Sequence, residues 1–327
     1  MCLYPRLLFN QKYWPNKKNG WQAPPLPEDR RVLKVPVGCG RCIECQKKRG
    51  RDWLVRINEE VRNDPNGVFV SMTWSNETLA ELNEEVDDIL EGYERENAIA
   101  KLGVRRFLER YRKENKKSCK HWLVTELGGN GTENLHIHGI IWAERKQIEK
   151  HWKKNGFSYL GYECSERTSG YIVKYISKTD EKHPHYQPIV LCSPGIGKGY
   201  TERFDSSLNE FRPGKTKETY TTKSGVKLAL PIYYRNKLYN DEEREKLWIE
   251  KLDKKKRWVR GYEVDVSTEE GMKLYFEKLQ YEQGENMRLG YLGAKEDWKK
   301  KLYEIQKREL NFSKRVKNKK KKGGGNM

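Results

Sequence analysis

No apolar run in the 327-residue chain is long enough to span a bilayer, which argues against a membrane-crossing helix. Hydrophobic residues are scarce at 35%, thin for a globular core, yet 11% aromatics with 19 Tyr and 10 Trp exclude a compositionally disordered chain. Cysteine is sparse and odd in number, seven with three close together, which does not suit a secreted disulfide framework. A reducing cytoplasm is the expected setting. The apolar patch within residues 1–14 is broken by Tyr4, Pro5 and Arg6 and is not expected to act as a signal peptide. No internal repeat is present. A nucleotide loop is missing too. Around Gly197-Lys198, Cys192 stands where that loop needs glycine and Gly199 where it needs Ser or Thr, so no nucleotide cofactor is expected.

Acidic residues are the minority charge, 47 Asp and Glu against 66 Lys and Arg, leaving a formal net charge of +19. A basic surface with interleaved aromatic rings suits a phosphate backbone and unstacked bases, so single-stranded nucleic acid is the expected partner. Solubility alone needs no such one-sided excess.

Residues 1–35 lack a helical or strand period and read as an irregular arm. Trp53, Ile57 and Val61 then mark a helix. After the turn at Asp64-Pro65-Asn66-Gly67, residues 68–74 read as a buried strand. Residues 76–96 are acidic and weakly ordered by pattern. Ala100, Val104, Phe107, Leu108 and Tyr111 share one face of a helix over 97–117. Residues 121–127 and 135–142 read as strands of an antiparallel hairpin closed by Gly128-Gly129-Asn130-Gly131-Thr132. A short helix near 146–153, a strand near 157–162 and a helix around 169–178 follow. This order predicts an α+β fold with a central antiparallel sheet flanked by helices. The expected division is an N-terminal arm with a Cys cluster and helix over 1–62, a core over 63–190, and an extension over 191–327. That extension is loop-rich, then helical, and ends in a basic, disordered tail.

His136 and His138 lie two apart in a strand and therefore project from the same side. Such pairs also occur in ordinary cores and surfaces. Glu126 strengthens the metal reading, because the hairpin places it opposite or nearly opposite His136, with Cβ atoms about 5 Å apart. Two imidazoles and a carboxylate suit octahedral Mg²⁺ or Mn²⁺, while a plain hairpin salt bridge is the alternative for Glu126. At helical spacing, Tyr171, Lys174, Tyr175 and Lys178 form one face and Ile172, Val173 and Ile176 the other. Tyrosines at i and i+4 often just line a core, but lysines on the same face oppose burial. Neighbouring ammonium groups favour a phenolate, which would attack phosphorus and leave a DNA 3′-hydroxyl. Cys39, Cys42 and Cys45, with Cys2 as a fourth ligand, suit a tetrahedral structural Zn²⁺; three reduced thiols in a tight turn are the alternative.

Three segments occur in order: Phe69-Val70-Ser71-Met72-Thr73-Trp74, His136-Ile137-His138 and Tyr171-Ile172-Val173-Lys174-Tyr175. As a set they resemble the HUH endonuclease superfamily. The two-tyrosine form looks like the replication initiators of microviruses. Met1-Cys2-Leu3-Tyr4-Pro5, the 39–45 cysteine segment, Ser193-Pro194-Gly195-Ile196-Gly197 and Leu230-Pro231-Ile232-Tyr233-Tyr234-Arg235 further resemble the gokushovirus branch. Trp74 departs from a more usual Tyr, with no chemical consequence expected. The resemblance implies origin nicking of replicative-form DNA, a 5′-phosphotyrosine intermediate and closure of circular single strands. It also implies work beside host helicase and DNA polymerase in the host cytoplasm. The competing reading is a non-catalytic basic protein that binds single strands, with the histidines and cysteines holding structural zinc.

Overall fold

In a computed structural model of the chain, the structure describes residues 1–128, 133–177, 180, 182–293 and 298–322, leaving out the side chains of 162, 163 and 315–322. In chain order the elements are β1 (Arg6–Phe9), β2 (Lys34–Val37), α1 (Ile43–Asn63), β3 (Val68–Trp74), α2 (Asn76–Glu85), α3 (Gly92–Asn115), β4 (Lys120–Leu127), β5 (Leu135–Trp142), α4 (Arg145–Trp152), β6 (Gly156–Glu163) and α5 (Glu166–Ser177). There follow β7 (Val190–Cys192), β8 (Thr219–Thr221), β9 (Lys227–Ala229), α6 (Ile232–Leu238), α7 (Asp241–Asp253), β10 (Lys256–Val259), β11 (Tyr262–Asp265), α8 (Glu269–Arg288) and α9 (Trp298–Lys322). The chain groups into two compact units, Met1–Val55 with Gly199–Lys295, and Arg56–Lys198 with Glu296–Met327. The whole of 63–190 falls in the second. Among the described residues no helix is long and apolar enough to cross a membrane.

The second unit carries a five-stranded sheet in the order β6-β3-β5-β4-β7, every neighbour antiparallel. The α+β expectation is therefore met. Alternation on β3 sends Val70, Met72 and Trp74 to one face, where Ala100, Val104, Phe107 and Tyr111 of α3 complete the core with Ile148 and Trp152 of α4. Trp74 meets Trp152 edge-on at 5.2 Å and lies on this core face, so its ring is a packing element. Ile172, Val173 and Ile176 of α5 are buried, and α5 lies against β4 and β5. Gly139 sits at the centre of β5, where an added Cβ would fall 2.0 Å from the Trp122 carbonyl, so only glycine fits.

Several expectations from pattern need correction. Residues 76–85 form α2, because the Ser75 side chain caps it by accepting from Thr78 N–H and because Leu79 and Leu82 are buried. The arm holds the β1–β2 hairpin, with Leu8 opposite Val35. A second hairpin, β10–β11, interrupts the region expected to be wholly helical. The basic tail is not disordered through its lysine run: α9 continues to Lys322, as the good helix propensity of lysine allows. Residues 323–327 and the turn residues 129–132 lie outside the described residues.

Candidate active site

The register of β5 between its two neighbours builds the site. His136 stands opposite Glu126 on β4 and opposite Thr73 on β3, and His138 stands opposite Val124 and Ser71. Paired residues of antiparallel strands share a face. His136, His138, Glu126 and Thr73 are thus gathered on one side of the sheet, away from the α3 core.

Glu126 and His138 meet: His138 Nε2 lies 2.8 Å from Glu126 Oε2. Cis ligands of an octahedral Mg²⁺, with bonds of about 2.0–2.1 Å, stand roughly 3 Å apart, so this spacing already suits a shared ion. His138 Nδ1 is buried and finds no hydrogen-bond partner among the described residues. His136 is held differently. Its Nδ1 lies 2.6 Å from the Thr73 hydroxyl, and its ring centre is 6.3 Å from that of His138. Burial, with the His138 ring beside it, keeps the His136 imidazole below its usual value and hence neutral at pH 7. A neutral ring anchored at Nδ1 leaves Nε2 as its donor atom. The donor chemistry fits a hard divalent ion. The three ligand atoms do not yet converge. Among the described residues, only Cys2, Cys39, Cys42 and Cys45 bring three or more candidate ligand atoms within 4.8 Å of one another.

The tyrosine helix lies directly over this pair. The Tyr175 ring stacks on His138, with centres 4.0 Å apart and planes 2° from parallel. Tyr175 Oη donates to Tyr171 Oη at 2.8 Å, and Tyr171 is half exposed and meets Phe69 edge-on at 6.0 Å. Lys174 Nζ sits 5.8 Å from the centre of the Tyr171 ring, so three of the four residues expected on this face come together. Lys178 lies outside the described residues. The expectation of an ammonium-stabilised phenolate is not met at Tyr175. Burial, the hydrogen bond with Tyr171 and the nearby Glu126 carboxylate raise its phenol above the ordinary value of 10.0. An anion beside another anion is disfavoured.

Two features escaped the sequence reading. Thr73 was visible only as a letter in a motif, and its bond to His136 depends on pairing between β3 and β5, which are far apart in sequence. The Tyr175–His138 stack likewise depends on how α5 lies on the sheet. The Gly195–Gly197 loop, expected to touch nucleic-acid backbone, is tied inward. Gly197 N–H donates to Glu60 at 2.7 Å, Ile196 O accepts from Arg56 at 3.1 Å, and Ile196 is buried.

Residues 87–180 match the model of a family of replication-associated proteins, those of the ORF2 type. That span runs from α3 through α5 and contains Glu126, His136, His138, Tyr171 and Tyr175. The likeness is consistent with a rolling-circle replication initiator and suggests nuclease or initiator activity in general. No curated protein and no solved structure matches the chain.

Proposed function

We propose that this chain is a two-tyrosine HUH-type initiator, similar to those of gokushovirus-like microviruses, that nicks origin DNA by transesterification. The observation that carries the reading is the pair of hydroxyl-linked tyrosines, one stacked on a histidine that is itself bonded to a carboxylate. A core histidine pair has no need of two phenols at its mouth. A DNA-binding face has no need of a His–Glu pair beneath its tyrosines.

His138, Glu126 and, after rotation of its ring, His136 would hold Mg²⁺ or Mn²⁺. Such an ion polarises a phosphate oxygen and orients the scissile bond. The chain's own groups do the rest. A tyrosine oxygen attacks phosphorus, the P–O3′ bond breaks, and the departing oxygen takes a proton to become a free 3′-hydroxyl. The tyrosine keeps the 5′-phosphate as a diester, so a later 3′-hydroxyl can reverse the exchange and close a circle without a nucleotide cofactor. When Tyr175 attacks, its proton passes along its existing hydrogen bond to the Tyr171 oxygen, which reaches solvent. Lys174 beside the Tyr171 ring, and Lys178 by its helical spacing, supply positive charge for the phosphate. Single-stranded DNA and the replicative-form origin are the proposed substrates, host helicase and DNA polymerase the partners, and the host cytoplasm the site of action.

The test is cleavage of single-stranded origin DNA with Mg²⁺ or Mn²⁺. Cleavage should vanish in EDTA and in the His136→Ala, His138→Ala double variant, while that variant still binds DNA, since phosphate contacts elsewhere dominate affinity. Binding without any cleavage by the unaltered protein would favour the non-catalytic reading.

A further inference from the structure

The sulfurs of Cys2, Cys39, Cys42 and Cys45 converge in the first unit, within 4.8 Å of one another. Cys2 Sγ lies 3.9 Å from Cys42 Sγ, and Cys39 Sγ lies 3.9 Å from Cys45 Sγ. A disulfide would need about 2.05 Å, and these cysteines are all free. Zn–S bonds of about 2.3 Å set the sulfurs of a tetrahedron roughly 3.8 Å apart, which is the spacing found. An iron–sulfur cluster would spread its cysteines over several irons and hold their sulfurs further apart.

The backbone around the sulfurs is shaped for thiolates. Tyr4 N–H and Cys39 N–H both donate to Cys2 Sγ, at 3.3 and 3.2 Å, and Cys42 N–H donates to Cys39 Sγ at 3.3 Å. Such bonds satisfy an anionic sulfur better than a neutral thiol. Gly40 adopts φ +78° and so lets the Cys39–Cys42 turn close. Gly38 passes so near the cluster that an added Cβ would fall 3.1 Å from Cys45 Sγ. The first turn of α1 carries Cys45, and its Ile43 N–H is held by the buried Asn286 side chain of α8 at 2.9 Å. The quartet packs beside Leu3, Ile43, Val259, Val264 and Tyr275, away from any polar channel that a reaction would need.

We propose that Cys2, Cys39, Cys42 and Cys45 bind one structural Zn²⁺ that fastens the start of the chain to the first turn of α1. All four positions are filled by sulfur, so no position is open for water or substrate, and the ion serves folding. Its coordination energy becomes folding energy of this unit. The inference stands apart from the nuclease reading, since none of its measurements follows cleavage.

The test uses the full chain, purified under reducing conditions without chelator. Elemental mass spectrometry should find one zinc per chain, and replacement by Co²⁺ should give the intense visible bands and thiolate charge transfer of tetrahedral sulfur coordination. Cys39→Ser with Cys42→Ser should lose the ion, and Cys192→Ser should keep it. If the double variant does not fold, Cys2→Ser keeps the question open to experiment: its Co²⁺ spectrum should shift to that of three thiolates and one lighter ligand. Folded wild-type protein with clearly substoichiometric zinc, one iron in its place, or the weak bands of six-coordinate cobalt would overturn the proposal.

Discussion

At the residue scale, much of the candidate site was legible in the sequence because two short periods determine it. Alternation along β5 puts His136 and His138 on one side, and the glycine-closed hairpin puts Glu126 opposite His136, as the register shows. The helical period puts Tyr171 and Tyr175 together. The sense of the Tyr175 shift was not legible, because a helical wheel counts the lysines on its own face and omits the carboxylate on the strand below. Nor was Thr73. Its hydroxyl fixes which nitrogen of His136 remains available, and supporting partners of this kind typically contribute 10–100-fold in metal affinity. Thr73→Val should therefore raise the Mn²⁺ concentration needed for half-maximal cleavage by about 10–100-fold, with little change at saturation. Titrating cleavage against Mn²⁺ measures this. An unchanged midpoint would show that Thr73 does not position the ring.

At the element scale, the strands and helices nearest the site were readable, and the outlying ones were not. β3, β4, β5 and α5 are dense in apolar, periodic residues. β1, β2, β10 and β11 are four residues each, and such short pieces are stabilised by what they pack on. α9 was obscured by its charge, yet its middle is buried within the second unit. Arg308 is 3% exposed and bonds to Glu96 of α3 at 2.6 Å and to Glu133, at the foot of the β4–β5 hairpin, at 3.1 Å. Nearby, Glu304 accepts from His185 at 2.6 Å and from Tyr93. This helix thus ties together α3, the hairpin that presents Glu126 and His136, and the segment that follows α5. Removing the cation strands two buried carboxylates, at a cost of about 3–5 kcal/mol. Arg308→Leu should lose roughly that much in urea unfolding of the full chain. A loss below about 1 kcal/mol would mean that the pairs are solvated and hold nothing in place.

At the scale of the whole molecule, the excess of positive charge and the site chemistry make separable contributions. The run Lys314, Arg315, Lys317, Lys319, Lys320, Lys321 and Lys322 has no aromatic ring after Phe312, so it can neutralise phosphates but has nothing to stack on a base. Deleting 314–327 should weaken binding to all single strands alike and flatten the salt dependence by about 0.7 log unit per lost phosphate contact for each tenfold change in salt. The cleaved phosphodiester should stay the same. An unchanged slope would mean that the segment touches no DNA, and a moved cut would mean that it helps choose the site. The central claim concerns the bond that the tyrosines form. Protein reacted with origin DNA, digested and examined by mass spectrometry should yield a peptide carrying a 5′-phosphonucleotide on Tyr171 or Tyr175. Single Phe variants should shift the adduct to the remaining tyrosine, and the double variant should form none. An adduct on any other residue, or one that survives in the double variant, would contradict the account.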